Sequence, residues 1–200
     1  MSLMSAAYTA SRALSLGKYL YGLLNVELKH NDTATNGTLA NTGTMTCLTA
    51  FAEGSDNTAR DGRKVLLKSV FCRGHVTVNT AGSAGQLCRI IIFKDKIGYG
   101  ATPTITNLLM SDDVDALLNP DYAGEKFEIY YDKILHLNPA GTESRPIYFY
   151  KKLFHHISWT GTTNSVSYAL SGHLWVYFVG NVGTNQPTIT FNTRVQYIDN

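Results

Sequence analysis

Between Arg63 and Lys96 the chain reads RKVLLKSVFCRGHVTVNTAGSAGQLCRIIIFKDK, two apolar-rich runs joined by a loop of glycine, serine and alanine. In the first run one parity carries Leu66, Val70, Cys72, Val76 and Val78. The other carries Ser69, Arg73, His75 and Thr77, with Leu67 and Phe71 as exceptions. Period two marks a half-buried strand, because successive side chains of an extended chain point to opposite faces. In the second run Leu87, Cys88, Ile90, Ile91, Ile92 and Phe93 fill both parities. That is the pattern of a central strand covered twice, unlike an edge. The rest of the chain is expected to build one antiparallel β structure around this pair.

The same reading places further strands at 26–30, 44–51, 127–137, 147–157, 172–179 and 189–198, which brings the strand candidates to eight. Residues 31–43 and 52–62 read as polar loops, the second ending in the turn pair Asp61-Gly62. Residues 97–124 read as a long excursion from the sheet. Within it, Thr104 to Met110 is expected to form a helical turn capped by Thr104. Asp112, Asp113 and Asp115 are expected to open a second helix ahead of Val114, Leu117 and Leu118. They do not start a calcium loop, which needs a glycine at its sixth position and a glutamate at its twelfth. Upstream, Leu3, Ala7, Ala10, Leu14, Gly17, Tyr21 and Leu24 recur at helical spacing. The expected architecture is all-β: an eight-stranded antiparallel jelly-roll sandwich over residues 25–200, preceded by a short amphipathic N-terminal helix over residues 1–24.

Two hundred residues suit one domain, and 44% apolar with 16% charged side chains suits a folded sandwich with polar loops. Cys47, Cys72 and Cys88 are odd in number and form no CxxC pair, so buried thiols are expected. No apolar run is long enough to span a membrane. The chain carries no GxSxG elbow, P-loop, HExxH or dinucleotide fingerprint. His155 and His156 are neighbours on a strand and point to opposite faces, and no HxH pair offers a cupin-type metal site. No catalytic residue, metal ligand or cofactor is therefore expected.

The net charge of +2 is small, but it is unevenly spread: residues 1–96 hold 11 Lys/Arg against 6 Asp/Glu, and residues 97–200 hold 6 against 9. Arg60, Arg63, Lys64 and Lys68 cluster where the second loop enters the long strand, and Arg73 and Arg89 follow. Arg12 and Lys18 make the arm cationic. Such a patch contacts phosphates without reading bases, or else is a solvated or intersubunit face. Tyr148, Tyr150 and Trp159 are candidates for stacking on bases or for subunit contacts. Twelve tyrosines among few charges favour the contacts.

Six segments, taken in order, resemble one family. They are ALSLGKYLYGLLNVE (13–27), DGRKVLLKSVFCRGHVTVN (61–79), CRIIIFKDKIGYGATPTITNLL (88–109), NPDYAGEKFEIYYDKILHLN (119–138), SGHLWVYFVG (171–180) and FNTRVQYIDN (191–200). The chain resembles the capsid proteins of small circular Rep-encoding single-stranded DNA (CRESS DNA) viruses, in the broad group whose shells are similar to those of the small satellite plant viruses. The resemblance implies a jelly-roll subunit of a closed (T=1) icosahedral shell of about sixty copies around circular single-stranded DNA. It implies a virion location, with the host nucleus or cytoplasm during assembly. Arg63, Lys64 and Arg73 would then contact phosphates on the inner surface, and Asn192 and Arg194 would lie in the closing strand. Members of the family usually begin with a long Arg/Lys-rich arm, whereas only Arg12 and Lys18 precede Glu27 here. A jelly-roll carbohydrate-binding or attachment module is the alternative reading.

Overall fold

The computed structural model describes residues 12, 27–82, 85–141 and 143–199. The expected helical arm over 1–24, Lys18 included, lies outside them apart from Arg12, which is exposed. The strands are β1 (Leu28–Thr38), β2 (Thr44–Cys47), β3 (Lys64–Thr77), β4 (Gln86–Asp95), β5 (Phe127–Leu137), β6 (Ser144–Trp159), β7 (Ala169–Ser171), β8 (His173–Gly180) and β9 (Thr188–Asp199). One helical turn, α1 (Ile105–Leu108), and one 3-10 turn, Val166–Tyr168, complete the described elements. A five-stranded sheet runs β1-β9-β3-β6-β7, and a four-stranded sheet runs β2-β8-β4-β5. Every pairing is antiparallel. With the three-residue β7 set aside, the sheet orders β1-β9-β3-β6 and β2-β8-β4-β5 are those of a jelly roll, as expected.

The two sheets enclose one core. Val65, Leu67, Val70, Cys72 and Val76 of β3 meet Cys88, Ile90 and Ile92 of β4 and Val176 and Phe178 of β8. Phe178 reaches Phe191 of β9 edge-on, with ring centroids 5.2 Å apart. Each such fully buried side chain contributes about 1.5–3 kcal/mol. A second apolar cluster lies on the other side of the four-stranded sheet. Ile91, Phe93, Trp175, Tyr177 and Val179 are covered there by Leu108, Leu109 and Val114 of the 97–124 excursion and by Phe127. This explains the apolar residues on both parities of β4 and β8: each lies between two apolar layers.

Four local expectations are corrected. Residues 31–38 are strand, not loop: β1 pairs with β9 without a break from Leu28↔Ile198 to Thr38↔Thr188. β1 is an edge with mostly polar side chains, so it carries little apolar signal. In β3 a bulge between Leu67 and Ser69 shifts the parity, so Leu67 and not Leu66 enters the core. The single apolar parity of β5 is likewise split by an irregularity opposite Ile92/Phe93: Phe127 and Ile129 pack on the outer cluster, Leu135 and Leu137 in the core. Residues 111–118 form no helix. Leu109 and Leu118 bridge, Met110 N–H donates to the Leu117 carbonyl at 2.9 Å, and the loop inserts Val114 into the outer cluster. The expected turn at 104–110 is present as α1, although the Thr104 side chain makes no capping bond.

Candidate nucleic-acid interface

The side of the five-stranded sheet that faces away from the core is set by register. Rows run across it from β1 through β9 and β3 to β6: Asp32, Arg194, Phe71 and Tyr150; then Ala34, Asn192, Arg73 and Tyr148; then His30, Gln196, Ser69 and Lys152. The alternation of β6 adds Phe154 and His156 to the same face, and β3 adds Lys64. Tyr148, Tyr150 and Phe154 are 67%, 50% and 70% exposed, a high value for aromatic rings. The ring of Phe71 meets that of Tyr148 edge-on at 5.5 Å. Lys68, displaced by the bulge, places Nζ 4.7 Å from the centroid of Phe154.

Cations dominate this face. Lys64, Lys68, Arg73 and Lys152 form no ion pair among the described residues. Arg194 pairs bidentately with Asp32 at 2.7 and 2.6 Å, and this guanidinium holds the Asp32 carboxyl below its usual range. A depression of about 470 Å³ lies beside Phe71, also lined by Asp32, Ala34, Asn192 and Arg194. Ser69 Oγ donates to Gln196 Oε1 at 2.7 Å, which fixes the middle of the face.

Of the residues singled out from the sequence, Lys64, Lys68, Arg73, Tyr148 and Tyr150 come together here. Arg63 is exposed just before β3. Arg60 does not join them. It is fully buried, donates to the carbonyls of Phe51 (3.1 Å), Gly62 (2.5 Å) and Gly161 (2.5 Å), reaches Glu53, and lies 4.4 Å over the Trp159 ring. Arg89 is also buried, on the far side of the other sheet. Its Nε and Nη2 each donate to Asp132 at 2.7 Å, and Nη1 donates to the carbonyls of Val114 and Ala116. Trp159, expected to be exposed, is 3% exposed and packs against Phe51 and His173 under Arg60. Lys152, Phe154 and Phe71 were not singled out. The period-two alternation that continues from Tyr148 through Tyr150 is the signal that finds Lys152 and Phe154, and Phe71 shows as an apolar residue on the polar parity of β3.

Among the described residues no group of three or more His, Cys, Asp and Glu is placed to hold a metal ion. Cys72 and Cys88 are buried thiols pushed up to about 12 by burial, and Cys47, pushed up to about 11, is half-buried. These thiols are poor nucleophiles. What the geometry offers is a sheet face that can hold a flexible polyanion.

A jelly roll that presents such a face has the form of a shell-building or binding protein. The chain belongs to the Satellite tobacco necrosis virus coat protein family, whose family profile matches residues 23–200. A coat protein of Maize white line mosaic satellite virus is 31% identical over 105 residues, 50% of this chain and 47% of that protein. The match therefore spans about half the length of that relative. Among solved structures, that of Desmodium yellow mottle tymovirus aligns with 86% of this chain and 87% of its own, at 8% identity and a TM-score of 0.34. The chain is thus, by family, a viral coat protein.

Proposed function

We propose that about sixty copies of this chain close into a T=1 icosahedral shell around single-stranded nucleic acid, with the outer face of the five-stranded sheet turned inward. The observation that carries the shell is the family match over residues 23–200. The inward face is supported by Lys64, Lys68, Arg73 and Lys152 lying together on it, with Arg63 beside them. These side chains contact phosphates and read no sequence. Arg12 and Lys18 add charge from the arm. That the genome is circular single-stranded DNA rests on the resemblance of the six quoted segments to CRESS DNA virus capsid proteins. Contacts between copies then fall to the remaining surfaces, where Tyr99, Met110 and Leu117 are exposed.

Negative-stain microscopy of the purified chain, with the 260/280 nm absorbance ratio of the same sample, tests this reading. Uniform closed spheres are expected. DNase and RNase digestion of the extracted nucleic acid then identifies it, with DNase sensitivity alone expected. Monomers or dimers only, across a range of salt and pH, would overturn the shell.

A further inference from the structure

The aromatic side chains on the sheet face do more than the proposed phosphate contacts require. Lysines and arginines alone would hold a polyanion, and exposed rings cost solvation without adding charge. Yet β6 places Tyr148, Tyr150, Lys152 and Phe154 in one alternating row, with the rings 50–70% exposed. Alternate residues on a strand are about 6.7 Å apart. That is room for one base on each ring. On β3, Arg73 stands opposite Tyr148 and Phe71 opposite Tyr150, so across the strands one ring faces a cation and the next faces another ring. Lys68 already sits over the Phe154 ring. The one carboxylate in the described rows, Asp32, is neutralised by Arg194.

We infer that this face is a base-stacking platform: Tyr148, Tyr150 and Phe154 stack unpaired bases while Lys68, Arg73 and Lys152 take the phosphates between them. The inference rests on the proposed function for which surface meets nucleic acid, and it adds what that nucleic acid must be. Its bases must be splayed and unpaired, because a duplex keeps its π-faces inside its own stack. The platform tolerates any sequence, since every base has a π-face. A subunit interface built on the same rings is the competing use.

The test takes the full chain as free subunits at low concentration and measures fluorescence anisotropy with three labelled probes of equal phosphate number. These are a mixed-sequence single strand, its duplex, and an abasic phosphodiester strand. The intact single strand is expected to bind about tenfold or more tighter than the abasic strand, and tighter than the duplex. Tyr150→Ala and Phe154→Ala are each expected to lose about fivefold or more on the intact strand and to leave the abasic strand and the salt slope unchanged. Tyr150→Phe, which keeps the ring, retains the affinity. Circular dichroism confirms that each variant is folded. Equal affinity for intact and abasic strands would overturn the platform, whatever the variants do. So would alanine variants that bind the intact strand normally but no longer form particles, since the rings would then be subunit contacts. Failure of the shell reading looks different: no particles form by microscopy, while the preference for intact over abasic strands survives.

Discussion

The imidazole of His173 is 1% exposed and spans two acceptor–donor positions. Its Nε2–H donates to the Ser158 carbonyl at 2.9 Å, and Nδ1 accepts from the Thr49 hydroxyl at 3.0 Å, while Thr49 Oγ1 itself accepts from Leu174 N–H. This arrangement holds one neutral tautomer. Burial is the main force pushing its pKa down to about 4, and nearby Arg60 and His155 push the same way. An unfolded histidine titrates near 6.5, so between about pH 6.5 and 4 the unfolded chain binds the extra proton. Stability therefore falls as pH falls through that window, by about 3 kcal/mol in full. Asp95, the register partner of His173, acts in the opposite sense, because burial raises its carboxyl pKa and protonation favours the folded form. The share of His173 is thus the difference between the parent chain and His173→Gln, read as urea midpoints at pH 7 and pH 4.5. The variant should be less stable at pH 7 and flatter with pH; an unchanged pH slope would remove His173 from the account. Residue identity in the sequence is silent on such burial. Arg60 and Arg89 look like neighbours in a basic patch, yet each is enclosed because carbonyls and carboxylates from distant segments satisfy its guanidinium.

At the scale of elements, periodicity made visible whatever has a dry face and a wet one. β5 was bounded from its alternation at both ends, and the double apolar filling of β4 correctly placed it at a sheet centre. The strand expected at 26–30 is present, but residues 31–38 of β1 read as loop because both their faces are largely polar, and the bulge in β3 is invisible because a one-residue slip leaves the composition unchanged. Gly74 has a tertiary reason for its place. An added Cβ would sit 2.1 Å from the Thr190 carbonyl oxygen, so β3 and β9 approach there as only glycine allows. The excursion over 97–124 is held by the same kind of non-local bond. Arg89 joins Asp132 of β5 to the carbonyls of Val114 and Ala116, and so pins the loop over the outer face of the four-stranded sheet. Arg89→Met should cost about 1–3 kcal/mol, because the carbonyls of Val114 and Ala116 lose their donor while the solvent-accessible Asp132 carboxylate stays hydrated. Its loss should appear first as faster hydrogen exchange at the Met110 and Ala116 amides, which donate within the loop. Unfolding with no earlier loosening of this loop would show that the apolar cluster alone holds it.

Charge is unequal between two sides of the molecule, although Lys96 and Lys126 stand among the carboxylates of the second. The unpaired cations Lys64, Lys68, Arg73 and Lys152 lie on the outer face of the five-stranded sheet. Asp112, Asp113, Asp115, Asp121 and Glu125 are exposed on and after the excursion that covers the opposite sheet. The charge asymmetry between the two halves of the sequence thus becomes an asymmetry between two faces, because the jelly roll gives β3 to one sheet and the excursion to the other. In the proposed shell this polarity would set the basic side against the nucleic acid and the acidic side away from it. Four phosphate contacts would give log affinity for a single strand a slope of about −3 against log salt concentration. Lys64→Gln with Arg73→Gln should flatten that slope by about 1.4 and lower the 260/280 nm ratio of purified particles. Asp112→Asn with Asp115→Asn adds the same amount of positive charge to the chain as that pair removes, and should change neither quantity. If net charge alone governed packaging, the second pair would raise nucleic-acid content by as much as the first pair lowers it. The two responses together therefore distinguish a charged face from a charged molecule.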